Sequence, residues 1–389
     1  MILTTKQEEG LKIAVERYKN NEPWTCIAGY AGTGKSTLVK FIVSALDIHP
    51  DYVCYVAYTG KASLVLKEKG CANAMTAHRL LYQSYPRKDG TFYHKEKRPL
   101  DFPYQLIVVD EISMLPKELW DLLLSHHIHV IALGDPGQLP PIGEDNGILA
   151  NPHIFLDEIM RQAQESEIIR LTMDIRAGKP LELFQGKEVQ IIDKEDLVSG
   201  MYTWADQILV AKNETRRQVN QMVRNYLYGV EDDCNPIEGD KVICLKNDWE
   251  TANEIGDVMV NGTLGTIHNI KYDKNHPYLH PQLIADFLPE GADPEAPLDL
   301  YFRRLSLDNK LLTTGEPTVN KANFMKFPKV FKPKEFDYGY AITVHKSQGS
   351  EYNKVLVFEE FLKGGDHARW LYTAATRAKE KLVIVRNYR

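Results

Sequence analysis

The hydrophobic positions fall into short, nearly unbroken runs, set apart by longer stretches in which apolar residues return every three or four positions. The runs are "WTCIA", "YVCYVA", "YQLIVVD" and "HVIALGD" early in the chain, and "DQILVA", "NKVLVFEE" and "EKLVIV" much later. Apolar β-rich runs alternating with helical spacing predict parallel α/β sheets. Because the series occurs twice, two similar α/β lobes are expected. Two segments break the rhythm. Residues 82–103 carry "KDG", a tight-turn signal. From about Glu238 to Pro333, "GDKVICLKND", "VMVNGTLGTIHNI" and "PQLIADF" read as short strands joined by Asn-Gly and Gly turns, which predicts a small β-barrel.

Composition narrows the class. A chain of 389 residues is too long for one ordinary core, so two or more domains are expected. With 43% hydrophobic and 26% charged residues it fits a soluble globular protein. No apolar run is long enough to span a bilayer, and "MILTTKQEEGLK" lacks the basic-then-apolar order of a signal peptide. The five cysteines are scattered without a C-x-x-C pair and read as free thiols in a reducing cytoplasm. His268, His276 and His280 match no zinc template. The net charge of −6 does not advertise a polyanion partner. Locally the picture changes: "PRKDGTFYHKEKRP" (Pro86–Pro99) holds five Lys or Arg against two acids, and "KANFMKFPKVFKPKEF" (Lys321–Phe336) holds five Lys against one Glu, interleaved with Phe. Such patches are either solvated faces or a grip on a nucleic-acid backbone.

"CIAGYAGTGKSTLVKF" (Cys26–Phe41) places Gly29 four residues before Gly34-Lys35-Ser36, the G-x-x-x-x-G-K-[ST] phosphate loop, between a strand and a helix. Backbone N–H groups from Gly32 to Ser36, through Thr33 and Gly34, can face a nucleotide phosphate at the start of a helix. Lys35 would neutralise the β/γ oxygens and Ser36 would ligate Mg²⁺. In "LIVVDEISM" an apolar strand runs out into two acids, where ligands sit in open α/β sheets. Asp110 is assigned to the metal and Glu111 to the general base that deprotonates the attacking water. In "VIALGDPGQLPPI", Asp135 closes a strand and Gln138 follows in a stiff loop, where its amide can touch the γ-phosphate.

The loop alone fits many machines, but the ordered series is more specific. It runs "TTKQEEGLKIA", "GYAGTGKST", "AYTGKAS", "AMTAHRLL", "VVDEISM", "LGDPGQLPPI", "LDEIMRQAQES", "ILVAKNETRRQVN", "GYAITVHKSQGSEYNKVLV" and "LYTAATRAKEKLVIV". This resembles the full motif set of a superfamily 1 DNA helicase, most similar to the RecD-like and phage Dda-type branch, whose members move 5′ to 3′. The resemblance covers Gln7 to Val385.

It implies two RecA-like lobes with ATP and Mg²⁺ between them. The first lobe is 1–153 with a hairpin insertion at 82–103. The second is 154–237 plus 336–389, interrupted by an SH3-like β-barrel at 238–335. Gln7 matches the glutamine that reads adenine, Thr37 closes the phosphate-loop motif that Gly29 opens, and Glu351 matches a position near the ribose. Arg161 and Arg377 match the two arginines that reach the γ-phosphate, where planar cations suit the transition-state charge. Thr59, Gly60, Lys61, Thr76, His78, Thr343, His345, Lys346 and Ser347 match DNA-contacting motifs. Tyr58 stands where the family often has Pro, which leaves the local DNA contact open. In the hairpin, Phe92 and Tyr93 beside the Asp89-Gly90 turn form either a strand-separating wedge or a plain surface ribbon.

The implied partners are single-stranded, forked and duplex DNA, and possible replication or recombination proteins. A monomeric, cytoplasmic, bacterial or phage-encoded protein is expected, and no membrane. Two other readings stand beside the helicase: a motor subunit of a RecD-type nuclease complex, and a DNA-dependent ATPase that remodels protein–DNA complexes without unwinding.

Overall fold

The computed structural model describes residues 3–86, 92–140, 146–230, 235–253, 258–273, 282–291, 300–314, 333–362 and 366–388. These form two compact units. One holds Met1–Tyr82, Glu96–Ala211 and Thr343–Arg389, and the other Gln83–Lys95 and Lys212–Ile342.

Eight strands come first in the chain: β1 (Trp24–Gly29), β2 (Val53–Ala57), β3 (Ala74–Thr76), β4 (Tyr82–Pro86), β5 (Phe92–Glu96), β6 (Leu106–Val109), β7 (His129–Gly134) and β8 (Ile154–Leu156). Six of them make a sheet in the order β3-β2-β6-β7-β1-β8, with every neighbouring pair parallel. Its central strands are buried on both faces. Ile27, Val108 and Ile131 pack on one side with Leu38 and Ile42, and Cys26, Ile107, Val109 and Val130 on the other with Trp120 and Leu123. Side chains alternate faces along a strand, so a run with no polar break needs cover on both. β4 and β5 pair separately as a two-stranded ribbon.

The next three strands are β9 (Phe184–Gln185), β10 (Val189–Ile192) and β11 (Gln207–Val210). Seven more follow in the second unit: β12 (Lys241–Cys244), β13 (Asp248–Ala252), β14 (Val258–Met259), β15 (Leu264–Asp273), β16 (Gln282–Pro289), β17 (Phe302–Leu307) and β18 (Phe336–Tyr338). The last three are β19 (Ala341–Thr343), β20 (Tyr352–Phe358) and β21 (Ala378–Val385). A second six-stranded sheet has the order β19-β11-β20-β21-β10-β9, with β11, β20, β21 and β10 running parallel.

The second unit is built on a five-stranded sheet, β17-β16-β15-β12-β18, whose pairs are antiparallel. Phe287, Phe302 and Phe336 fill its core. The helix Asn213–Tyr228 is bolted to β18 by polar side chains one turn apart. Arg216 pairs with Asp337, Asn220 Nδ2 donates to the carbonyls of Tyr338 and Ala341 at 3.1 Å each, and Arg224 grips Asp240.

The charged turn Arg87–Thr91 and most of the Lys321–Phe336 patch lie outside the described residues, as do Cys234, His276, His280 and much of the acidic stretch after Pro289. Among the described residues no helix is long and apolar enough to cross a membrane.

Candidate active site

β6, β7 and β1 are adjacent and parallel, so the loops leaving their C-terminal ends converge, as ligand sites do in open α/β sheets. The loop after β1 turns through Gly32 and Gly34 at φ of +76° and +79° and enters the helix Lys35–Ala45, which has no side-chain cap. A Cβ at Gly34 would lie 2.6 Å from Gln7 Nε2, so both the backbone angle and the space demand glycine. The uncapped amides at that helix start could hold an anion. Lys35 Nζ donates to the carbonyls of Gly29 (2.7 Å) and Tyr30 (3.0 Å), folded across the loop. Ser36 is exposed, Thr37 is half-buried, and Thr33 is buried.

Gln7 is also buried. Its Nε2 donates to the Thr33 carbonyl at 3.1 Å, and its Oε1 accepts the Thr4 N–H in a capping box. Met160, just before Arg161, donates its N–H to the Gly32 carbonyl at 2.9 Å, so that segment lies against the loop. Arg161 opens the helix Arg161–Gln164, and its side chain is outside the described atoms.

At the end of β6, Asp110 Oδ1 accepts the Glu111 N–H at 3.0 Å. Glu111 itself has φ +50°, the left-handed region that a side chain enters only under constraint. Glu111 Oε1 is 3.3 Å from Gln138 Nε2, which donates to it, and 3.7 Å from Arg377. Burial raises the pKa of both carboxyls. For Asp110, Lys35 and Lys69 oppose the rise; for Glu111, Arg377 opposes it. Arg377 is buried and fixed by the carbonyls of Thr373 (3.1 Å) and Ser350 (3.2 Å). Glu351 pairs with Lys69 at 2.9 Å and with Lys379 at 3.9 Å.

The expected nucleic-acid residues lie on the same unit. Thr59 and Thr76 each cap a helix, accepting the N–H of Ala62 and of Arg79 at 3.2 Å. Gly60 starts the first of those helices, and Lys61 lies 4.0 Å over the Tyr352 ring. His78 stacks on Tyr82 and lies 6.2 Å from the Tyr58 ring at a tilt of 49°. Thr343 precedes the short helix Val344–Ser347, where Ser347 is buried and donates to the Val344 carbonyl. Burial lowers the pKa of His345, while Lys346 is half-buried. A Cβ at Gly349 would meet Ala62 at 3.2 Å and Met114 Sδ at 3.3 Å, so the loop after this helix reaches the helix that follows β2. Phe92 and Tyr93 belong to the other unit. Tyr93 is exposed and stacks on Tyr85, and the Phe92 side chain is not described.

The sequence reading did not single out Tyr372, Thr373 and Gln348, which clamp the Gln138 loop. Thr373 stands four residues and Tyr372 five residues before Arg377, and that nearness in the chain is the available signal.

Comparison with known proteins fits this geometry. A family model described as an AAA domain matches residues 3–201, and one described as a UvrD-like helicase C-terminal domain matches residues 338–385. The chain belongs to the superfamily 1 helicases. Within them it is of the RecD-like, Dda-type branch. It is 29% identical over 391 residues to the ATP-dependent RecD2 DNA helicase of Deinococcus radiodurans, covering 91% of this chain and 46% of that protein. It is 27% identical over 191 residues to the ATP-dependent DNA helicase Dda of phage T4, covering 46% of this chain and 43% of that one. The chain thus spans less than half the length of these two relatives. A Bacteroides Pif1 helicase solved with ADP-AlF3 and single-stranded DNA shares the fold at a TM-score of 0.52 and 17% identity, covering 100% of this chain and 93% of the other.

Proposed function

We propose that this superfamily 1 chain is an ATP- and Mg²⁺-dependent DNA helicase that moves 5′ to 3′ along single-stranded DNA and separates duplex ahead of it. The observation that carries the reading is the meeting of Glu111, Gln138 and Arg377 beside the phosphate loop. Transfer of a phosphoryl group to water needs a base for the water, a cation for the equatorial oxygens and a cradle for the leaving phosphates.

The residues fit both groups. The amides from Gly29 to Thr37 would hold the phosphates, with Gln7 and Glu351 at the base and ribose ends. Lys35 would leave the Gly29 and Tyr30 carbonyls for a phosphate oxygen. Ser36 and Asp110 would hold Mg²⁺, which supplies positive charge to the phosphates. Glu111 Oε1 would take the proton of the attacking water, oriented by Gln138. Arg377, and Arg161 from the segment tied to Gly32, would meet the charge that develops on the γ-phosphate.

The two six-stranded sheets are read as RecA-like lobes, 1–153 and 154–237 with 336–389, and the antiparallel sheet as an SH3-like insertion within 238–335. Thr59, Gly60, Lys61, Thr76 and His78 from the first lobe, and Thr343, His345, Lys346 and Ser347 from the second, would track the sugar–phosphate backbone without reading bases. Closing on ATP and opening after hydrolysis would advance the strand. ATP hydrolysis by the intact chain, assayed with and without single-stranded DNA, tests the reading. Hydrolysis should rise with DNA and vanish in Lys35→Ala. No hydrolysis by the unaltered chain under either condition would overturn it.

A further inference from the structure

Tyr372 is buried at 1% exposure, yet its hydroxyl is fully used. It accepts the Ala31 N–H of the phosphate loop at 2.9 Å and donates to Asp135 Oδ2 at 2.7 Å. Asp135, also buried, accepts the Gly137 N–H on its other oxygen at 2.8 Å. The Tyr372 ring presses on Gly137, where a Cβ would lie 3.1 Å from Tyr372 Cε1. On the far side of Gln138, the Leu139 N–H is held by Thr373 Oγ1 and the Leu139 carbonyl by Gln348 Nε2, each at 2.9 Å. Gln138 therefore sits between two clamps, and one of them runs through a single hydroxyl to the phosphate loop. Burial, with the Asp135 charge, holds the Tyr372 hydroxyl protonated, so it stays a donor.

We propose that Tyr372 is a positioning residue for hydrolysis: it sets the distance between the phosphate loop and Gln138, and so the placing of Gln138 against Glu111. The proposal rests on the ATPase reading above. A phenylalanine keeps the ring but leaves the Ala31 N–H and Asp135 Oδ2 without this partner, and misplacement of a reacting group lowers turnover more than binding.

The test is a double-mutant cycle on the full chain, with Tyr372→Phe, Asp135→Ala and the pair, reading kcat and KM for ATP at saturating single-stranded DNA. Tyr372→Phe should lower kcat roughly 10-fold or more, with KM within about twofold. The pair should be little worse than the stronger single change, because both break one link. A Tyr372→Phe kcat within about twofold of wild type, a rise in KM alone, or effects that multiply would overturn the proposal. If Tyr372→Phe does not melt cooperatively, Asp135→Ala decides by the same split of kcat from KM. A wild-type chain that hydrolyses no ATP overturns the underlying reading as well, so the two failures are told apart.

Discussion

At the scale of single residues, the site turns on Glu111. Its backbone is held at φ +50° and its carboxylate lies between an amide and a guanidinium. Glu111→Gln keeps the shape and removes the proton acceptor. ATP binding should persist while turnover falls by roughly 10²–10⁴, read by nucleotide binding beside single-turnover hydrolysis. Arg377→Ala should lower turnover by about 10³ or more with little change in ATP affinity. An affinity collapse with normal turnover of bound ATP would make Arg377 a binding residue only.

Burial raises the Asp110 and Glu111 pKa values, so the pair takes up protons at a higher pH than free carboxylates do. A base that is protonated cannot act. The acid limb of kcat/KM, which reports the enzyme before ATP and Mg²⁺ bind, should therefore lie above the ordinary glutamate value of about 4.3, and a profile of kcat/KM that stays flat down to that value contradicts the assignment. The same sign applies to folding: what the raised pKa values add to stability is present in acid and fades as pH rises through them.

Much of this site was legible in the sequence, because the phosphate loop and strand-end acids are local patterns. Other features depend on chain segments far apart. Nothing near Gln7 says that its amide is spent on Thr33 and Thr4, and nothing near Tyr372 says that it bonds Ala31, more than three hundred residues away.

At the scale of elements, the buried strands were the most readable, since a strand covered on both faces has no polar break. The two-residue β9 is too short for any period to mark it. The helix Asn213–Tyr228 was less readable still. Arg216, Asn220 and Arg224 look like a solvated stripe, yet they are buried against β18 and Asp240. Arg224 meets Asp240 through two bonds of 3.1 Å and lies 4.0 Å over the Tyr338 ring. Removing one partner strands a buried charge, which typically costs about 3–5 kcal/mol. Arg224→Ala should lower the melting temperature sharply, and a melt within a degree or two of wild type would show that water reaches Asp240.

The β4–β5 ribbon carries the other element-scale prediction. Lys97 anchors its base by donating to the Arg79 carbonyl at 2.9 Å, while Tyr85 and Tyr93 stack nearer its tip. An aromatic covering the last base pair of a fork is worth roughly 1–3 kcal/mol, comparable with opening one pair. Replacing residues 86–94 with a Gly-Ser turn should spare DNA-stimulated ATPase and translocation while duplex unwinding fails. Unwinding at the original rate would leave the ribbon without a role at the fork.

At the scale of the whole molecule, a motor is more than an ATPase. The two six-stranded sheets and the meeting of Glu111 with Arg377 fit the proposed coupled closure, and helix-capping hydroxyls with half-buried histidines would suit a single-strand track without base preference. The proposed direction rests on family resemblance rather than on any local contact. The most direct measurement is unwinding by the intact chain, with ATP and Mg²⁺, of two partial duplexes that differ only in having a 5′ or a 3′ single-stranded tail. The 5′-tailed duplex should be separated and the 3′-tailed one left intact. Separation of neither, beside vigorous DNA-stimulated ATPase, would contradict the helicase assignment, and separation of the 3′-tailed duplex alone would contradict the direction.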